Sequence, residues 1–235
     1  MLNKYAVVPE HFLLVTAAFA PQTHLLSAAD LAAARACALA YRDRGAELFV
    51  FYNSGPHSGA SQPHRHLQLL PVARMREGLD AVEGGAAWGV LADRAAAGDG
   101  TAILGGLPFT ALGTRLDKDA TPQRLREVYL SLYRQACAAA GVAAEVAGRE
   151  EGEAAVSYNL AMTRESMVLC PRRAEGGSLR DAGGAEVGRL ELNGTVLAGT
   201  ALVKSQAEWD LLRGDPNQLR DVLGRIGVPL PVGDS

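Results

Sequence analysis

The sequence predicts an α+β fold, an antiparallel sheet with helices packed on it. Three observations carry the expectation: β-rich runs open the chain and recur in its second half, two Ala/Leu-rich segments repeat apolar residues at helical spacing, and glycines close both segments. With 235 residues, 48% of them hydrophobic and 21% charged, the chain has enough apolar material for a sizeable core. At this length roughly 70–75% of the unfolded surface can be buried, enough for one large domain or two small ones without disulfide or metal staples.

Residues 5–8 and 12–16 are short β-rich runs flanking Pro9-Glu10-His11, a hairpin-like pattern. Ser27 and Asp30 precede a helix over 30–44, with Leu31, Ala34, Ala38 and Tyr41 on one face and Gly45 at its end. Residues 47–52 (ELFVFY) read as a buried strand that leads into a polar, Gly-rich loop over 53–61. Residues 64–72 read as the next strand, with Pro71 near its end, where a missing amide matters least. Residues 74–120 mix glycine, alanine and charge and read as a variable insertion with a helix over 86–97. Thr121-Pro122 starts a strong helix through Ala140, with Leu125, Val128, Tyr129 and Leu132 as its apolar stripe. Runs at 155–162, 167–171 and 186–192 suggest a β-meander with a Gly-rich turn at 176–184. Two helices, 208–212 and 217–226, close the chain on either side of Gly214-Asp215-Pro216, and the tail from Val228 is expected to fray.

A net charge of −3 gives no global attraction to nucleic acid or to an anionic membrane, so any phosphate binding must be local and the partner small. Cys37, Cys137 and Cys170 are odd in number and far apart, which fits neither a disulfide framework nor a zinc motif; a reducing cytoplasm is expected. The N-terminal residues lack a signal-peptide pattern, and no apolar run approaches the ~20 residues of a membrane span. Of 23 basic residues only Lys4, Lys118 and Lys204 are lysines. Lysines that survive so strong an arginine bias mark three positions where a compact point charge is of use.

The most informative stretch is His64-Arg65-His66-Leu67-Gln68. In a strand, residues two apart share a face at ~6.6 Å, so His64, His66 and Gln68 point together while Leu67 and Leu69 enter the core. Three readings compete. One is a half-wet strand face. A second is a metal pair, for which the remaining ligands are missing because His11, His24 and His57 are scattered. The third is nucleophilic catalysis, in which a neutral imidazole attacks phosphorus and carries a nucleotide as a phosphoramidate. The preceding loop bears on that choice: Ser54, Ser58 and Ser61 offer hydroxyls, and Gly55 and Gly59 let backbone amides approach an anion.

Asn53-Ser54-Gly55, Ser58-Gly59-Ala60-Ser61-Gln62-Pro63 and His64-x-His66-x-Gln68 together resemble the diadenosine tetraphosphate phosphorylases (ATP adenylyltransferases), a branch of the histidine-triad-like superfamily. The resemblance extends to Leu2-Asn3-Lys4-Tyr5 with His11-Phe-Leu-Leu-Val-Thr16, to Tyr158-Asn-Leu-Ala-Met-Thr163, and to Asn193-Gly194-Thr195 followed by Gly199-Thr200-Ala-Leu-Val-Lys204. It implies a histidine-triad-like fold, with an N-terminal catalytic part over 1–145 and a C-terminal part over 146–235 packed as one unit. It also implies phosphorolysis of diadenosine tetraphosphate to ATP and ADP through an adenylyl group on His66. His64 would orient His66 through its backbone carbonyl, and Gln68 would bond phosphoryl or bridging oxygens. Asn53, Ser58, Gly59, Ala60 and Ser61 would cradle the polyphosphate. Asn3, Lys4, Asn193, Gly194, Thr195, Thr200 and Lys204 would contact the nucleotide.

About four negative charges must be neutralised locally, by Lys4, Lys204, Arg65 or a divalent ion such as Mg²⁺ that arrives with substrate, since no carboxylate cage is visible. Partners are therefore the nucleotides and phosphate, with neither nucleic acid nor membrane. Two features depart from the family pattern. Relatives carry a region before the Leu-Asn-Lys segment that includes another substrate-contacting lysine, so the chain is expected to be a shortened form, to start upstream of Met1, or to be trimmed. After Pro108-Phe109, Thr-Ala-Leu-Gly stands where relatives place a histidine or aromatic residue, so base contacts are expected to differ. Two other functions share the motif: a dinucleoside polyphosphate hydrolase, and a truncated nucleotide-binding protein without turnover.

Overall fold

Ser27 starts helix α1 (Ala28–Arg42) with a reciprocal cap, its hydroxyl accepting from Asp30 N while the Asp30 carboxylate accepts from Ser27 N. Thr121 caps α3 (Pro122–Ala139) from one side only, its hydroxyl accepting from Arg124 N, with Pro122 in the first turn where its missing N–H costs nothing. Both helices lie on one face of a seven-stranded antiparallel sheet in a computed structural model that describes residues 1–81, 85–98 and 100–230. The strands are β1 (Phe12–Val15), β2 (Leu48–Ser54), β3 (His66–Pro71), β4 (Ala102–Ile103), β5 (Leu112–Arg115), β6 (Ser157–Met162) and β7 (Ser166–Arg172), in the order β1-β3-β2-β6-β7-β5-β4. The sheet thus joins the two halves of the chain, with β2 paired to β6.

Alternation assigns the two faces. Val50, Tyr52, Leu67, Leu69, Leu160 and Leu169 meet α1 and α3. Phe49, Phe51, Leu70, Ala161, Val168 and Cys170 meet a second layer. That layer holds 3₁₀ turns at Leu91–Ala97 and Gly194–Ala198, a separate hairpin of β8 (Gly176–Arg180) and β9 (Glu186–Glu191), and helices α5 (Gln206–Gly214) and α6 (Pro216–Ile226). Two short helices, α2 (Val72–Arg76) and α4 (Ala144–Ala147), complete the chain. Covered on both sides, every residue of β2 is buried, which is why its sequence is apolar without alternation.

Five expectations need correction. Residues 5–8 form no strand, with 5–7 exposed and Val8 half-buried, because the chain paired to β1 is Met1 to Asn3: Leu13 N donates to Met1 O and Asn3 N to His11 O. Residues 74–120 contribute β4 and β5 to the sheet and Leu104, Phe109, Ala111 and Leu112 to the core, so they are no insertion. The helix expected over 86–97 is a pair of 3₁₀ segments, Gly85–Ala87 and Leu91–Ala97; residues 82–84 and 99 of the wider 74–120 stretch lie outside the described ones. Gly176 is in a strand rather than a turn. A Cβ there would sit 1.9 Å from Leu190 O, so glycine marks close backbone approach, and the true turn is capped by Asp181, whose Oδ1 accepts from Gly183 N and Ala185 N. Finally, Val228 is buried and held between Pro171 O and Thr110 N; the rest of the expected frayed tail, 231–235, lies outside the described residues.

Candidate active site

On β3, Gln68 pairs with Phe51 of β2 and with Leu13 of β1, which puts His66 and Gln68 on the face away from α1 and α3. The β2–β3 ladder stops short of His66. There the buried amide of Gln22 lies between the strands: its Nε2 donates to Asn53 O (2.7 Å) and His66 O (3.2 Å), and its Oε1 accepts from His66 N (2.8 Å). One side chain thereby satisfies backbone groups that the ladder leaves unpaired and holds the strands apart at His66.

His66 is 6% exposed, and its Nδ1 lies 2.9 Å from His64 O. A carbonyl oxygen only accepts, so Nδ1 carries the proton and the lone pair is on Nε2, which has no hydrogen-bond partner among the described residues. The ring of His64 is turned elsewhere: its Nε2 is 2.9 Å from Thr16 Oγ1 and 3.2 Å from Ala18 O, and Phe19 packs on it at 5.5 Å.

His11, set aside as scattered in the sequence, belongs to this cluster. It is buried, and it follows the β1 alternation through Leu13, the partner of Gln68. Burial lowers its pKa from the ordinary 6.5, a side-chain hydrogen bond with Gln68 acts against that, and the nearby His66 lowers it further. Asn3 contacts the same ring, its Nδ2 lying 3.2 Å from Nε2. Because the folded pKa is depressed, the unfolded chain binds more protons just below pH 6.5, and His11 withdraws stability as pH falls through that window. We expect thermal midpoints of the parent to fall between about pH 7.5 and 5.5 more steeply than those of His11→Gln. Parallel curves would remove His11 as the source.

The 55–61 loop is closed by its own groups. Ser58 is fully buried and its Oγ donates to Gly55 O (2.7 Å), so its hydroxyl builds the turn instead of facing a ligand. Gly59, at φ 76°, presses against Asn193, where a Cβ would meet Asn193 Cβ at 2.7 Å. Ala60 and Ser61 line an adjoining cavity of about 390 Å³ with Phe19, Pro21 and Pro63. Behind the loop, Asn53 Oδ1 accepts from Asn159 Nδ2 (2.9 Å) and Gly194 N (2.9 Å), and its Nδ2 donates to Gly59 O (3.4 Å). Asn53 is 1% exposed, so it fastens the cradle to the 193–195 turn and is not itself a surface of the cradle. Asn193 caps that turn, accepting from Thr195 N (3.0 Å), and Thr200 Oγ1 donates to Thr195 O (3.1 Å).

Arg172 stands beneath this assembly, 4% exposed. Its guanidinium bonds Asn159 Oδ1 and donates to Ile226 O (3.2 Å), Ala174 O (3.0 Å), Glu175 O (3.2 Å) and Leu192 O (2.8 Å). Gln22, Asn159, Arg172 and His11 were not singled out from sequence. An Asn alternating with Ala161 in a buried strand and an Arg ending an apolar run were the available signals.

Three cations expected near phosphate are engaged elsewhere. Arg65 is buried in an ion pair with Asp30 (2.8 Å) on the α1 face. Lys204 is exposed and paired with Glu191, which raises its pKa. Lys4 is exposed, its Nζ 5.5 Å from the Tyr5 ring centroid. Thr110 and Ala111, where different base contacts were expected, are buried.

An imidazole with a free Nε2 at a strand end, beside a Ser/Gly loop with a buried guanidinium beneath it, is an arrangement able to carry group transfer, on a fold of histidine-triad-like type. The sequence model described as "ATP adenylyltransferase C-terminal domain" matches residues 105–229, more than half of the chain, and the one described as "Ap4A phosphorylase N-terminal domain" matches residues 1–81. The chain belongs to the Ap4A phosphorylase (ATP adenylyltransferase) family. Among curated proteins of Saccharomyces cerevisiae, it is 29% identical to diadenosine 5',5'''-P1,P4-tetraphosphate phosphorylase 2 over 99% of this chain and 70% of that protein. It is 47% identical to Protein APA1 over 74 residues, 31% of this chain and 23% of that protein. The solved yeast Ap4A phosphorylase Apa2 superposes with TM-score 0.78 and 27% identity, over 100% of this chain and 73% of that one. Its complex with Ap4A gives 0.74 and 25%, over 97% and 72%.

Proposed function

We propose that the chain phosphorolyses diadenosine tetraphosphate by transferring an adenylyl group through His66. The observation that carries this reading is the 2.9 Å contact of His66 Nδ1 with His64 O, which leaves Nε2 as the nucleophile. In the first step the Nε2 lone pair forms a bond to the α-phosphorus, the bond from that phosphorus to its bridging oxygen breaks, and ATP leaves. In the second, an oxygen of inorganic phosphate attacks the same phosphorus, the P–N bond breaks, and ADP leaves with His66 restored. His64 O stabilises the positive ring while it is adenylylated, because the Nδ1 proton stays between them. Gln68, half-buried on the same face, is the donor for the phosphoryl or leaving oxygen.

The amides of the 59–61 loop, with Asn193 N beside them, would hold the polyphosphate, while Gly194 N and Thr195 N are spent on Asn53 and Asn193 and fix the spacing of the turn. Asn3, Lys4, Thr200 and Lys204 would meet the nucleotide, Lys204 after exchanging Glu191 for phosphate. A divalent ion such as Mg²⁺ enters with the polyphosphate as part of the substrate. A cytoplasmic setting is part of the same reading, supported by three unpaired cysteines; no helix among the described residues is long and apolar enough to cross a membrane.

Product analysis tests the reading. Ap4A incubated with the chain and inorganic phosphate should give ATP and ADP in equal amounts. Release of AMP at the same rate without phosphate would assign a hydrolase, and binding without any product would assign a non-catalytic nucleotide-binding protein.

A further inference from the structure

The sheet has a second charged end. The β6–β7 turn lies at the Leu48 end of β2, whose seven residues separate it from Asn53 by roughly 20 Å. A cavity of about 500 Å³ opens there, walled by Leu39 and Leu116 and ringed by Arg35, Arg42, Arg115, Lys118 and Arg164. Two carboxylates share the rim, and each has a cation of its own: Asp117 faces Arg124 at 3.6 Å and Glu165 pairs with Arg164. Arg42 faces Asp43 at 2.6 Å. Among the described residues, no ion pair engages Arg115, Lys118 or Arg35.

Arg35 is the unusual member. It is 5% exposed and reaches from α1 to backbone carbonyls only, those of Asp117 and Lys118 on one side and Thr163 and Arg164 on the other. A full positive charge is therefore buried against dipoles without a paired carboxylate: burial lowers its pKa, Arg164 and Arg42 lower it further, and the nearby Glu165 acts against them. Like charges converge here in a chain whose net charge is −3, an arrangement that costs stability until an anion enters. Lys118, the lysine that no family motif absorbs, sits on this rim.

We propose that this cavity is a second anion site, distinct from the His66 cleft, that binds a compact polyphosphate. Its size suits a small molecule rather than a strand of nucleic acid, and convergent guanidinium and ammonium groups favour several phosphate charges over one carboxylate. Free inorganic polyphosphate and the phosphate tail of a nucleotide present the same chemistry.

Equilibrium dialysis of the full chain with labelled tripolyphosphate, beside Arg115→Glu/Lys118→Glu, tests the site. Both side chains are exposed, so the substitution leaves the fold in place, and Ap4A turnover by the variant serves as the check. The variant should lose one bound equivalent per chain, or bind it at least about tenfold more weakly, with turnover retained. A parallel arm with labelled ATP separates the sources: a matching loss assigns a nucleotide tail, and no loss assigns free polyphosphate. Identical tripolyphosphate binding by the two proteins would overturn the proposal, whatever their turnover.

Discussion

His66→Asn should lower Ap4A phosphorolysis by about 10⁴-fold or more while nucleotide binding persists. Asparagine keeps an N–H donor for His64 O, and the backbone bond of residue 66 to Gln22 is untouched, so the strand end holds its shape. What disappears is the lone pair on Nε2. The covalent intermediate gives a readout independent of turnover: the parent should take up label from Ap4A carrying ³²P in its α-phosphoryl groups, stable to base and released by acid, and His66→Asn should take up none. Two neighbours provide the contrast. His64→Ala should cost less than about tenfold, because the contribution of His64 is its carbonyl and its ring is bonded to Thr16 and Ala18. Gln68→Ala should cost on the order of 10²-fold, the usual effect of removing one donor aimed at developing charge. Labelling of His66→Asn at the parent's level would end the mechanism.

The parts of this site legible in the sequence are those whose meaning is local. A period of two placed His66 and Gln68 on one face, and capping residues located α1 and α3. The unread parts depend on register and on long-range approach. His11 lies 57 residues from Gln68 and joins it only because Leu13 pairs with Gln68, a register that no local pattern specifies. Gln22 acts by filling a gap between two strands that do not contain it. Glycine misled in one direction: at Gly176 it serves backbone contact inside a hairpin, where spacing alone reads as a turn. Charge misled in another. Arg65 stands between the two motif histidines, yet strand alternation sends it to the opposite face and to Asp30. The alanine- and glycine-rich stretch at 74–120 lacks periodicity because its 3₁₀ segments and two short strands are held by tertiary contacts.

Arg172→Leu should be the most damaging substitution for stability, through groups that it leaves behind. Leucine fills part of the volume, but five acceptors lose a donor: Ile226 O and Glu175 O still accept from Arg173 N and Leu192 N, whereas Asn159 Oδ1 and the carbonyls of Ala174 and Leu192 are left with none among the described residues. The carbonyls belong to segments from three regions: the turn after β7, the end of β9, and α6. One guanidinium thus ties the second layer to the sheet. Orphaning buried acceptors around a deleted charge costs about 3–5 kcal/mol, and at this chain length that lowers the melting midpoint by roughly 10 °C. The damage should also reach chemistry by a definite route. Asn159, no longer held at Oδ1, loosens its bonds to Asn53 and to Ser58 O, and with them the spacing of the loop and the 193–195 turn. KM for Ap4A should therefore rise before kcat falls, because the polyphosphate cradle is disturbed while the His66–His64 contact is not. Arg172→Lys, which keeps the charge but not the fork, should fall between the two in midpoint. A midpoint within about 2 °C of the parent for Arg172→Leu would mean that the second layer is held by its apolar contacts with Phe51, Val168 and Leu190 alone.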